Sequence, residues 1–196
     1  MIKTLIFDFD GLIIDTEMPD FESWQSVYQR YGQSLPIEMW GQVVGGSGAS
    51  DFDPHSYLEQ LVEQSLDREQ VWLSRRFIYL RNIASQPILP GVVERITEAE
   101  EMDIRVGLAS SSPENWVHGH LKRIGLLERF QVIKTADDVT NTKPDPELFL
   151  AVLAEMDLAG KEAIVFEDSP NGILAAHLAG THAVAIPNAI TAQLPF

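Results

Sequence analysis

The strongest constraint on the fold lies at the amino terminus. Leu5-Ile6-Phe7 is a continuously apolar run that stops abruptly at Asp8-Phe9-Asp10-Gly11, with Asp15-Thr16 close behind. Such a run reads as a strand buried on both faces, as the strands of parallel sheets are. Carboxylates at the end of a buried strand need a partner, because burying an unpaired charge is costly. Asp8 and Asp10 are two residues apart, so in an extended chain both lean toward the same side. Gly11 lets the chain turn sharply and pass close to a ligand. Two convergent carboxylates at a strand's carboxyl end suit a hard, oxygen-liganded cation, and Mg²⁺ fits best.

Four further runs read as strands: Ile104–Ser110, Gln131–Thr135, Ala163–Glu167 and Ala183–Pro187. Helices are expected between them. Ser112-Pro113 is a start signal and Gly125 a stop. Asp145-Pro146 opens a helix over Glu147–Met156, and Ser169-Pro170 opens one that Gly180 ends. Strands alternating with helices predict an α/β fold, a Rossmann-like doubly wound parallel sheet.

The stretch after the first strand breaks this pattern. Phe21–Tyr31, Pro54–Leu66 and Arg68–Ala84 look helical, with no buried strand between them. They predict an inserted helical cap domain over residues 17–86, with a core built from 1–16 and 87–196. The chain passes into the insert near Thr16–Pro19 and leaves it near Pro87–Gly91, where Pro-Ile-Leu-Pro-Gly interrupts any helix. Gly45-Gly46-Ser47-Gly48 lacks the Lys-Ser/Thr and the preceding strand of a nucleotide loop, and reads as a flexible link.

Composition removes several function classes. The formal net charge is −15, from 14 basic and 29 acidic residues, which is the wrong field for a nucleic-acid partner. There is no cysteine, so disulfides, thiolate metal sites and cysteine nucleophiles are excluded. His118 and His120 are two apart on a predicted helix and make a poor metal pair; His177 and His182 straddle a helix end. No signal peptide and no membrane span is legible, so the cytoplasm is the default expectation, and a monomer the default assembly.

Ligands of open α/β sheets bind beyond the carboxyl ends of the strands. There the first strand delivers Asp8 and Asp10, and the second delivers Ser110, followed by Ser111 and a helix start suited to an anion. Ser112 reads as a plain helix cap. After the third strand comes Lys143-Pro144-Asp145-Pro146, whose prolines restrict where Lys143 can point. The ammonium of Lys143 would offset the repulsion of two carboxylates or pair with a phosphate. The fourth strand ends in Glu167-Asp168-Ser169-Pro170-Asn171-Gly172, a second acidic pair before a helix.

Asp8-Phe9-Asp10-Gly11-Leu12-Ile13-Ile14-Asp15-Thr16, then Ser110, Lys143 and Glu167-Asp168, resemble the four ordered motifs of the haloacid dehalogenase-like hydrolase superfamily. The insert resembles the helical cap of its beta-phosphoglucomutase-like branch. The resemblance implies a phosphatase acting on a small phosphorylated metabolite through an aspartyl phosphate. Asp8 would be the nucleophile and Asp10 the general acid and base. Mg²⁺ would be held by the Asp8 carboxylate, the Asp10 backbone carbonyl and the Asp168 carboxylate, with Glu167 in or near that shell. Ser110, the backbone of Ser111 and Lys143 would hold phosphoryl oxygens, while Asp15 and Thr16 shape the turn.

Three other readings are weighed against this one. Haloacid dehalogenation is disfavoured, because enzymes of that type lack the second aspartate, here Asp10. Sugar phosphomutases resemble the chain in the core but carry a cap histidine where Asp20 stands and a cap-loop arginine. The segment Val43–Ser50 has no basic residue, so little positive charge is expected in the cap and phosphatase is favoured. A non-catalytic Mg²⁺-binding partner protein is the third alternative, and the intact Asp8 and Asp10 argue against it. The resemblance also implies a further strand and helix after the fifth strand, whereas this sequence stops at Leu194-Pro195-Phe196; lower stability than a longer form is expected.

Overall fold

The structure, a computed structural model, describes residues 1–41 and 52–196. The Gly45–Gly48 link and the whole of the basic-free segment 43–50 lie outside the described residues.

Strand β1 (Thr4–Phe7) is the centre of a five-stranded sheet. It pairs in parallel with β2 (Arg105–Ala109) on one side and with β4 (Ala163–Glu167) on the other. Strand β3 (Val132–Lys134) extends the sheet beyond β2, and β5 (His182–Ala185) beyond β4, giving the order β3-β2-β1-β4-β5. All pairings are parallel, and the expected α/β sheet is what forms. Its strand ends lie within two residues of the sequence reading, and β4 matches it at both ends.

Successive residues of each strand feed opposite faces of the sheet. Phe7, Val106 and Leu108 belong to one apolar cluster, while Ile6, Ala109 and Val165 belong to another. Helix α5 (Val92–Glu101) and helix α6 (Glu114–Ile124) cover the first face through Val92, Ile96, Val117 and Leu121. Helices α7 (Glu147–Glu155) and α8 (Pro170–Leu178) cover the second through Leu148, Phe149, Val152 and Ala175. Helix α5 is not among the elements expected from the sequence, although its apolar residues do recur at helical spacing.

Helices α1 (Glu17–Arg30), α2 (Ile37–Gly41), α3 (Pro54–Val62) and α4 (Arg68–Ile83) follow β1. They share a third apolar cluster built on Val27, Tyr28, Leu35, Trp40, Leu58 and Val71, completed by Ile190 from beyond β5. The last turns of α4 cross over to the sheet, since Tyr79 and Ile83 pack in the cluster of β1 and β2. The two connections to this helical set touch each other. Ile14 bridges to Ile88, and the Leu89 N–H donates to the Ile13 carbonyl at 2.9 Å. Among the described residues no helix is long and apolar enough to cross a membrane.

Candidate active site

The carboxyl ends of β1, β2 and β4 face α1 and α4 across a cavity of about 690 Å³. That is in the range that takes small metabolites. Asp8, Asp10, Ser110, Ser111, Lys143, Glu167 and Asp168 all line it, so every residue singled out from the strand ends is brought to one place.

The charges at the sheet end are closely packed. Asp8 is 7% exposed, Glu167 1% and Asp168 4%, and single oxygens of the three lie within 4.8 Å of one another. The Lys143 ammonium donates to Asp8 Oδ1, to Glu167 Oε1 at 2.7 Å and to the Ala109 carbonyl at 2.8 Å. Burial works against the charge of Lys143, but the Asp8 and Glu167 carboxylates win and hold it above the ordinary lysine range. Asp8 is pushed up to about 8 by burial, which Lys143 only partly counters. Asp168 is pushed up to about 10 by burial and by the charges of Asp8 and Glu167. Three buried carboxylates with one ammonium remain short of positive charge, and an all-oxygen donor set of this kind fits a hard divalent cation.

Two glycines leave the room these carboxylates occupy. Gly11 has φ of +77°, and a Cβ there would lie 2.4 Å from Asp168 Oδ2. A Cβ on Gly172 would fall 1.8 Å from the Glu167 carboxyl carbon. Glu167 also accepts from the Ser169 N–H and hydroxyl, both at 3.0 Å, and Ser169 Oγ caps α8 by accepting from the Gly172 N–H at 3.1 Å. The expected Ser169-Pro170 helix start is therefore present and holds Glu167 in place.

Asp10 behaves differently from the strand-based expectation. The strand ends at Phe7, so the alternation that would put both carboxylates on one side no longer governs Asp10. Its Oδ2 accepts from Ser112 Oγ at 2.6 Å and from Ser110 Oγ at 3.4 Å, and its Oδ1 accepts from Trp116 Nε1 at 2.9 Å. The three carboxylates with oxygens within 4.8 Å of one another are Asp8, Glu167 and Asp168, while the Asp10 side chain lines the same cavity and its charge acts on Asp8. Ser112 is likewise not a plain cap. Pro113 occupies the cap position of α6, which leaves the Ser112 hydroxyl free to reach Asp10.

The far wall of the cavity comes from α1 and α4. Arg75 is paired with Asp20 and lies 5.4 Å from the Trp24 ring centre. Arg76 sits 5.7 Å from the Tyr79 ring centre and 6.0 Å from that of Trp116. Both arginines line the cavity, which corrects the expectation of little positive charge on this side. That expectation rests on segment 43–50, whereas the cations stand on a helix face. Glu17, half-buried beside them, is pushed up to about 8 by burial, with Asp10 and Asp20 adding to the effect.

Sequence reasoning also passes over Asn188 and Trp116. Asn188, in the turn after β5, donates to Asp168 Oδ2 at 2.7 Å and to the Gly11 carbonyl at 3.3 Å. No local pattern marks it. Trp116 carries no local signal either, since Ser112 lies before the helix that holds Trp116 and helical spacing does not relate the two.

A protein family described as haloacid dehalogenase-like hydrolase matches residues 5–186. A Bacillus subtilis (strain 168) protein named "Putative phosphatase YhcW" is 43% identical over 196 residues, spanning 100% of this chain and 88% of its own length. The "Phosphorylated carbohydrates phosphatase" of Thermotoga maritima is 30% identical over 182 residues, 91% of this chain and 82% of that protein. A Thermotoga maritima crystal structure described as a "putative beta-phosphoglucomutase" superposes with a TM-score of 0.78 at 28% identity, covering 96% of this chain and 87% of the other.

Proposed function

The chain belongs to the haloacid dehalogenase-like hydrolase superfamily, in its beta-phosphoglucomutase-like branch, and on that premise we propose that it is a Mg²⁺-dependent phosphatase that hydrolyses a small phosphate ester through an aspartyl phosphate. The observation that carries this reading is the buried group of Asp8, Glu167 and Asp168 joined to Lys143, with Asp10 beside it and held by its own donors, Ser112 and Trp116. This arrangement supports reading Asp8 as the attacking carboxylate and Asp10 as the one that moves a proton.

Asp8, Asp168, Glu167 and the Asp10 backbone carbonyl would hold Mg²⁺, which would supply charge to offset the repulsion between the Asp8 carboxylate and an anionic phosphate. An Asp8 oxygen attacks phosphorus while the ester P–O bond breaks, and Asp10 gives its proton to the departing oxygen. Water then attacks the phosphoryl group, Asp10 takes the proton, and the Asp8 carboxylate leaves. Lys143, Ser110 and the Ser111 backbone hold the remaining phosphoryl oxygens, so that catalysis rests on positioning and charge neutralisation. Residues 17–86 act as a cap over a core of 1–16 and 87–196, with the paired connections at Ile14 and Ile88 as the hinge. The cap selects the substrate.

A second reading, sugar phosphomutase, is supported by Arg75 and Arg76 facing the cavity. Phosphate release from an aryl phosphate, measured with Mg²⁺ and with chelator beside Asp8→Asn, tests the first. Metal-dependent release that vanishes in Asp8→Asn is expected. A folded native protein that releases no phosphate from any small ester, yet interconverts hexose phosphates when primed with a bisphosphate, would replace phosphatase by mutase.

A further inference from the structure

Asp10 accepts at Oδ2 from the Ser112 and Ser110 hydroxyls and at Oδ1 from the Trp116 indole. Ser112 precedes α6, and Trp116 lies in its first turn. The indole does more than donate. Its ring is stacked on Tyr79 of α4, with centroids 5.9 Å apart and planes inclined by 13°. His120 meets it edge-on at 4.3 Å, and the Arg76 guanidinium lies over it at 6.0 Å. Trp116 is therefore the place where a helix of the insert touches a residue that bonds directly to Asp10. An indole N–H points along the ring plane, so a ring clamped on its face and edge leaves its donor one direction, and that direction is Asp10 Oδ1.

We propose that Trp116 is a positioning residue that transmits the seating of α4 to the orientation of the Asp10 carboxylate. The inference rests on the reading of Asp10 as the proton-transfer group. With Tyr79 stacked on Trp116, the Nε1–H and the Ser112 hydroxyl together fix both carboxylate oxygens toward the cavity. When α4 moves away, the ring loses its stacking partner and Asp10 loses a fixed donor. Proton transfer by Asp10 is then most effective when the insert is seated over the site, in both the attack on the ester and the attack of water on the phosphorylated Asp8.

The test uses Trp116→Phe, which keeps a ring for Tyr79 and removes the N–H, together with Tyr79→Leu and the double variant. Loss of one hydrogen bond to a charged group is expected to lower kcat about ten- to a hundred-fold, with KM within about twofold. The double variant is expected to be no slower than Trp116→Phe alone, because both act on one device. A second measurement needs no turnover: the Trp116 indole N–H resonance is expected to move, and its hydrogen exchange to quicken, in Asp10→Ala and in Tyr79→Leu. An unchanged kcat in Trp116→Phe would overturn the proposal. So would a raised KM at native kcat, which would make Trp116 a substrate wall, or an indole resonance indifferent to Asp10→Ala. If the resonance responds to both variants while the native chain releases no phosphate, the coupling stands and the phosphatase reading falls.

Discussion

On the sheet side of the cavity the charged groups sit at strand ends and bind one another directly, as Asp8, Lys143 and Glu167 do. On the helical side two consecutive arginines of α4 meet aromatic rings, with Arg75 paired to Asp20 beside Trp24 and Arg76, for which the contacts are with rings, over Tyr79 and Trp116. The first arrangement is rigid because a parallel sheet fixes its strand ends, and buried ions tolerate little misplacement. The second can slide, because a cation over an aromatic face is attracted over a range of positions. Rigid ion contacts suit a fixed reaction centre, whereas tolerant ring contacts suit a surface that opens, closes and accepts differing substrates. On the proposed function the difference would separate chemistry from selection, and substitutions on the two sides should fail in different ways.

The largest effect is expected at Lys143. Its removal leaves Asp8 and Glu167 buried without their shared cation, and breaking a buried pair in this way costs about 3–5 kcal/mol. In Lys143→Met, kcat for an aryl phosphate should fall at least about a hundred-fold, as for loss of a donor to a transition-state oxygen. Denaturant unfolding should show the stability loss in the metal-free protein. A variant that unfolds at the native midpoint would mean the strand-end charges are not a coupled unit, and the contrast between the two sides would lose its physical basis.

A smaller and differently shaped effect is expected at Arg75. Its partner Asp20 lies on α1, and burial already raises the Asp20 carboxyl against the pull of Arg75. Arg75→Met should loosen α1 from α4 beside the cavity. KM for the natural phosphate ester is expected to rise about ten-fold, the worth of one charged hydrogen bond, while kcat for a small aryl phosphate stays within about threefold. A fall in kcat as deep as that of Lys143→Met would show that the helical side takes part in the chemistry.

The same contrast decides how much of the molecule is legible in its amino-acid sequence. Asp8, Ser110, Glu167 and Asp168 are legible because each ends or follows an apolar run, and Lys143 because prolines stand just after it, while topology carries all strand ends to one edge. The sheet and most helices are legible for the same reason, since apolar runs, Ser-Pro starts and glycine stops are local. Arg75, Arg76 and Trp116 are not, because a residue's side of a helix matters only once the helix is docked. Asn188 is hidden because its partners, Asp168 and Gly11, are distant in the chain. Asp10 is legible as a residue but not as a direction, because β1 stops three residues before it.

The smallest effect lies furthest from the cavity and bears on the helical side alone. Asp53 caps α3, its carboxylate accepting from the His55 N–H at 3.2 Å and the Ser56 hydroxyl at 2.7 Å, and it pairs with Arg68 at the start of α4. Slight burial works against its charge, but the Arg68 and Ser56 hydrogen bonds win and hold the carboxyl near 2, below its ordinary 3.8. A carboxyl depressed on folding adds stability above the unfolded value and loses it as the pH falls through the folded one. Arg68 is well exposed, so the ion pair counts for little, and the cap itself is worth about 1 kcal/mol. Asp53→Ala should therefore lower the melting midpoint by about 2–4 °C at neutral pH, a deficit that holds down to about pH 4 and shrinks as the pH falls toward 2. Aryl phosphate kcat should not change. If it drops together with the midpoint, the third apolar cluster is passing strain to the strand ends, and the helical side is stiffer than its ring contacts imply.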